Sequence, residues 1–243
     1  MPTDRSPVPV WLRGCWRRSW IEFDDGTRDD REQVWWLQTE RAMADVRVAA
    51  DRPSFAGVES VSACSSTQLA ALARANASTG FTTVTDVTEH SDGSRSCTAR
   101  WHTYGHGANL QPVCTYTEPG LLSVSADGAV MIERAPSGAY VEEWRSVPGS
   151  CDETPTRRVL ADGRELYVAG PIAVLVRDRA APPPREAPLH ELVGSLDRPT
   201  VDGLLDIEFS VAVAGDDGVY RIEASTLPWR EGASIDVAVR PTS

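Results

Sequence analysis

The sequence predicts an all-β protein, an antiparallel barrel of a dozen or more strands with one short helix, and three observations carry that expectation. Apolar and polar residues alternate in short runs bounded by Gly, Asp, Pro and Ser, the pattern of antiparallel strands wetted on one face. Helical periodicity stands out at one place. The 243 residues suffice to bury roughly 70–75 % of the unfolded surface without metal or disulfide staples.

Residues 16–23 form the first run, and Asp24-Asp25-Gly26-Thr27 closes it, since Asp-Gly suits a tight hairpin turn. Runs 33–38 and 43–48 complete a meander. The predicted helix covers 66–75, where a serine cap precedes Leu69, Ala70, Leu72 and Ala73 at helical spacing. It is expected to pack across a barrel mouth or an open side. Further strands are expected over 81–87, 97–104, 113–116, 121–125, 130–134 and 140–145, with Ala126-Asp127-Gly128 and Pro136-Ser137-Gly138 as dividing turns. The same grammar continues over 158–160, 166–168, 173–177, 192–195, 205–214 and 219–225. In 205–214, Ile207, Phe209, Val211 and Val213 share one face, and Asp206, Glu208 and Ser210 the other. Pro182-Pro183-Pro184 cannot donate to a ladder and marks a surface connection. Asp45-Val46-Arg47 is echoed 98 residues later by Glu143-Trp144-Arg145, which favours two lobes, 1–118 and 119–243, joined as separate or continuous units.

Composition removes several function classes. All 24 basic residues are arginine, so Schiff-base, P-loop and serine–lysine chemistry are impossible. A net charge of −11 with no basic run longer than two argues against nucleic acid as a partner. Residues 1–14 lack the apolar core of a signal peptide, and no window reaches a membrane span, so the chain is expected in the cytoplasm with no membrane partner. The five cysteines, spaced 49, 33, 17 and 37 apart, fit neither a zinc site nor a disulfide framework and read as reduced, mostly buried thiols. No G-x-G-x-x-G precedes a helix and no G-x-S-x-G elbow occurs, so no cofactor is expected. The eight tryptophans, against four Phe and five Tyr, need either a thick core or a pocket to face.

Gly14-Cys15-Trp16 opening the first strand resembles the G-x-W signature of calycin or lipocalin-like barrels. With Trp36-Leu37-Gln38, Ala44–Val48, Tyr140–Arg145 and the segment from Ser225 to Gly232, the chain resembles a group of bacterial proteins and, more distantly, the fungal Hri1-like proteins with two lipocalin-like lobes. The resemblance spans roughly residues 12–232. It implies a ligand-holding barrel, and it assigns no catalytic residue.

Candidate site residues follow from strand geometry. Period two puts Trp36 with Gln38, and Asp45 with Arg47, on common faces. If those faces point inward, they supply a ring wall, an amide and a charge pair to one cavity. The ordinary alternative sets Asp45 and Arg47 on a wet outer face, with Ala44, Val46 and Val48 in the core. Glu143 and Arg145 pose the same choice against Tyr140, Glu142 and Trp144, one carboxylate there being buried. Trp101, Tyr116, Trp144 and Arg145 complete the ligand-binding candidates, while Trp11 and Trp20 are expected to plug a barrel end. His102 and Glu143 are the candidate acid–base groups. On a strand, His102 and His106 would lie about 13 Å apart, beyond joint ligation of one metal, so a metal site would need a bend at Gly105 and none is expected.

Two functions survive. One is a binding protein, monomer or homodimer, for a small apolar or aromatic molecule, with Gln38 and an arginine fixing its polar end. The other is a cofactor-free cyclase, isomerase or lyase that folds its substrate in the cavity.

Overall fold

The computed structural model describes residues 6–114, 117–183 and 187–237. Strands β1 (Gly14–Phe23), β2 (Arg28–Asp29), β3 (Gln33–Gln38) and β4 (Met43–Val48) lead through helix α1 (Ser66–Leu72) to β5 (Asn76–Glu89), β6 (Arg95–His102), β7 (Gly120–Val124), β8 (Val130–Arg134) and β9 (Tyr140–Ser146). Each barrel strand pairs antiparallel with the next. β1 then returns to β9, with Trp16 opposite Ser146 and Phe23 opposite Tyr140, so eight strands close a barrel and β2 merely flanks β1. Closure removes the exposed edges that an open sheet would leave. A second, open antiparallel sheet follows: β10 (Thr156–Val159), β11 (Glu165–Ala169), β12 (Ile172–Arg177), helices α2 (Leu189–Val193) and α3 (Arg198–Leu205), β13 (Glu208–Ala214), β14 (Tyr220–Ser225) and β15 (Ser234–Ile235).

The all-β antiparallel architecture is as expected, and four particulars differ. The change of sheet falls between Ser146 and Thr156 rather than at 118/119, because β7, β8 and β9 are needed to close the barrel on β1. The Asp45–Arg47 and Glu143–Arg145 echo therefore lies within one barrel, on β4 and β9. Residues 192–195 fall at the end of α2 rather than in a strand, and 205 ends α3. Asp197 caps α3 by accepting from the Thr200 amide at 2.9 Å, and Pro199 sits in the first turn, where its missing N–H costs nothing. Finally, Val113 and Cys114 are not in a strand, and Thr115 and Tyr116 lie outside the described residues.

Helix α1 starts behind Ser65, which shares a capping box with Gln68. It does not cross a barrel mouth. Leu69 and Leu72 enter a core shared by the two sheets, built from Trp35, Leu37, Ala44 and Val46 on the barrel's outside and Tyr167, Val174, Phe209 and Val211 of the second sheet. Inside the barrel a separate cluster joins Trp16, Val34, Trp36, Met43, Leu122, Met131 and Trp144. β3 and β4 are therefore buried on both faces. That corrects the wet-face reading of β4: Ala44, Val46 and Val48 do fill a core, but it is the outer one, and Asp45 and Arg47 point into the barrel. The second sheet's other face is filled by Leu166, Ala173, Leu175, Ala212 and Ile222.

A register shift between Arg18 and Trp20 in the β1–β9 ladder turns the strand over. Ile21 then faces inward, and Trp20 lies beneath the Arg28 guanidinium, 4.3 Å from the ring centre, instead of plugging the barrel. Val8 and Leu12, with Trp11 against them, fill the barrel end near Trp16. The Trp16 indole N–H donates to the Leu12 carbonyl at 3.0 Å and fixes that plug.

Candidate functional site

The barrel half away from the plug is hollow. A cavity of about 170 Å³ opens there, walled by Trp36, Trp101 and Trp144, floored by Met43, and ringed by Ile21, Asp45, Arg47, Asn76, Glu133, Tyr140 and Glu142, with Thr117 and Glu118 at the rim. Trp36 is central to the wall: Trp101 meets it edge-on at 5.9 Å and 76°, and Trp144 at 6.4 Å and 69°. The Trp101 ring reaches this position because Gly120 carries no side chain. A Cβ there would stand 2.6 Å from the indole and 2.9 Å from the Glu133 carboxyl.

The cavity also holds a buried polar layer. Asp45 accepts from the Arg47 guanidinium at 2.9 Å. The Arg18 guanidinium, itself buried, donates to Glu142 at 2.7 Å and to Glu32 at 2.6 Å. Glu133 stands directly across the β8–β9 ladder from Glu142, and both are under 5 % exposed. Arg18 serves Glu142, while Glu133 receives a hydrogen bond from the Tyr140 hydroxyl at 2.9 Å. Burial, with the Glu142 charge opposite, pushes the Glu133 carboxyl up to about 8. The Tyr140 phenol is raised as well, first by burial and then by Glu133. Among the described residues, the indole N–H groups of Trp36 and Trp144 are buried without an acceptor, as is the hydroxyl of Ser78, opposite Asp45 in the β4–β5 ladder.

Trp36, Asp45, Arg47, Trp101 and Trp144 thus come together around one cavity. Gln38 does not join them: its amide donates to the carbonyls of Thr39 and Ala42 and accepts from the Thr82 hydroxyl at 2.7 Å, so its capacity is spent within the fold. Glu143 and Arg145 pair with each other at 2.9 Å, on the face of β9 opposite Tyr140, Glu142 and Trp144. The inward carboxylates are one residue away at Glu142 and across the ladder at Glu133. A signal for Glu133 existed in the sequence, because it falls in phase with Met131 in a turn-bounded strand. Tyr116 lies outside the described residues.

His102 lies outside the cavity wall. It stacks on Phe81 at 4.6 Å and shares a 2.9 Å hydrogen bond with the Thr83 hydroxyl, and burial followed by His106 and Arg100 lowers its pKa. The chain does bend at Gly105, whose φ is 73°, and this brings the two imidazoles to 6.3 Å. No cluster of three metal-ligating side chains occurs among the described residues. Cys15, Cys64 and Cys97 are buried thiols, and Cys114 and Cys151 are exposed. No helix among the described residues is long and apolar enough to cross a membrane.

No protein-family model and no curated protein matches the sequence. Among solved structures the chain is similar to the uncharacterized protein YLR301w from Saccharomyces cerevisiae, with 11 % identity and a TM-score of 0.49 over 87 % of this chain and 84 % of that one.

Proposed function

We propose that this chain is a binding protein for a small apolar or aromatic molecule held in the open half of the barrel, in the manner of the calycin-like barrels its G-x-W opening resembles. The observation that carries the reading is the wall itself: three tryptophans, Trp36, Trp101 and Trp144, line a hollow. A solid barrel would bury the same rings against each other and leave no volume. A cavity of about 170 Å³ resembles in size those that accept a single benzene-like ring, and its open mouth lets a substituent protrude. The chain acts in the cytoplasm as a monomer or homodimer, without nucleic acid or membrane partners.

The test is a titration of tryptophan emission with one-ring and two-ring apolar compounds, followed by chromatography of the mixture. Saturable quenching with compound returned unchanged, and its loss in Gly120→Val, where the added side chain occupies the space beside Trp101, is the expected result. A second reading, a cofactor-free isomerase or lyase, is favoured by one observation: Glu133, a buried carboxyl beside the same cavity, faces Glu142 across the ladder, and burial pushes its pKa up. A new product on incubation would decide for it. Absence of quenching by every compound would remove both readings.

A further inference from the structure

We propose that the cavity presents a hydrogen-bond-donating edge and selects neutral planar ring compounds bearing a carbonyl acceptor over hydrocarbon or cationic rings of equal size. This rests on the ligand-binding reading above and names the class of ligand.

Indole N–H groups donate and never accept, and those of Trp36 on β3 and Trp144 on β9 find no acceptor among the described residues. Both nitrogens are closed off even from the hollow, so these rings supply its wall and the donor within an occupant's reach is a carboxyl.

That donor is Glu133. Two carboxylates facing each other across a ladder rung in a dry interior cannot both ionise. Glu142 has the Arg18 guanidinium at 2.7 Å, so the proton resides on Glu133. One Glu133 oxygen accepts from Tyr140, which leaves an acid O–H to donate. Asp45 and Arg47 on β4 answer each other's charge at 2.9 Å, and Glu118 at the rim accepts from the Ser137 amide and hydroxyl. With Glu142 matched to Arg18 and Asp45 to Arg47, the buried layer offers, among the described residues, neither a spare carboxylate for an ammonium nor a spare cation for an anion. A neutral acceptor fits, and the carbonyl of an aromatic ketone brings one acceptor with two lone pairs on a ring of the right volume.

The experiment is calorimetry of the intact protein with acetophenone, ethylbenzene and benzylamine at pH 6.5 and 9.5, on wild type and Glu133→Gln. Acetophenone is expected to bind about tenfold more tightly than ethylbenzene at pH 6.5. In wild type that preference collapses at pH 9.5, where Glu133 has lost its proton and opposes the carbonyl; in Glu133→Gln, whose carboxamide keeps a donor, it persists. Equal affinity for the two neutral compounds at pH 6.5 overturns the donating edge while leaving the ring site standing. Benzylamine binding most tightly at pH 6.5, where Glu133 keeps its proton, overturns it in favour of a cation site. Failure of all three to bind a protein with native circular dichroism overturns the ligand-binding reading beneath it. The wild-type pH series stands by itself if Glu133→Gln folds poorly.

Discussion

Glu133 should make the stability of this protein fall as pH rises through neutrality, and the size of the effect can be worked out. Its carboxyl titrates at an ordinary 4.5 in the unfolded chain and at about 8 in the barrel, because it is buried and faces Glu142. A group whose folded value is raised contributes its full relative stability below the unfolded value and loses it as pH climbs to the folded one. The window here is therefore pH 4.5 to 8, with the native state holding one proton that the unfolded state releases. Each pH unit is worth about 1.4 kcal/mol, so the total is about 3–5 kcal/mol, sharing of the proton with Glu142 setting the lower figure. Glu133→Gln keeps the shape and abolishes the titration. Urea unfolding of both proteins at pH 5.5, 6.5, 7.5 and 8.5 isolates the contribution, since every other titrating group cancels in the difference. Wild type should lose ground to the variant by about 1.4 kcal/mol per unit up to the folded value and none beyond. Two parallel stability curves would refute the reasoning, and a difference growing towards acid would show that Glu133 is held ionised.

Four further expectations concern the same framework. Arg18→Met leaves Glu142 buried without its cation and should cost about 3–5 kcal/mol in guanidinium unfolding, most of it regained in Arg18→Met/Glu142→Leu. Gly120→Ala pushes a methyl group against Trp101 and should cost about 1–3 kcal/mol with a shifted tryptophan emission maximum, whereas Glu143→Ala, which removes an outer partner of Arg145, should change stability by under about 0.5 kcal/mol and leave ligand titrations unaltered. Asp197→Ala removes the α3 cap and should cost about 1 kcal/mol by thermal or chemical unfolding.

Alternation made β3, β4, β8 and β9 legible, together with the common face of Tyr140, Glu142 and Trp144. It could not say which face was inside where both are buried. β4 carries Ala44, Val46 and Val48 on one side and Met43, Asp45 and Arg47 on the other, and only the second sheet, more than a hundred residues downstream, decides that the small apolar set faces outward. The misplacement of Trp20 has a different cause. One extra residue near Ser19 inverts the rest of β1, and a bulge of that kind leaves no mark in apolar periodicity. α2 was missed because five residues give too little length for a helical period to register, whereas Asp197 with Pro199 was a readable start signal for α3. Gln38 looked like a ligand contact because its partners, Thr39, Ala42 and Thr82, come from a turn and a strand whose approach the sequence does not reveal.

The unequal backing of the barrel has a mechanical consequence. β3 and β4 are clamped between two cores, so any shift there must displace side chains on both sides at once, in an interior that compresses little. Among the described residues β7, β8 and β9 carry no such outer layer, with Leu121 and Arg145 standing in water on their far side. A guest too large for the hollow will therefore find one rigid jaw and one yielding jaw, and it will be the Glu133–Glu142 wall that moves outward to admit it.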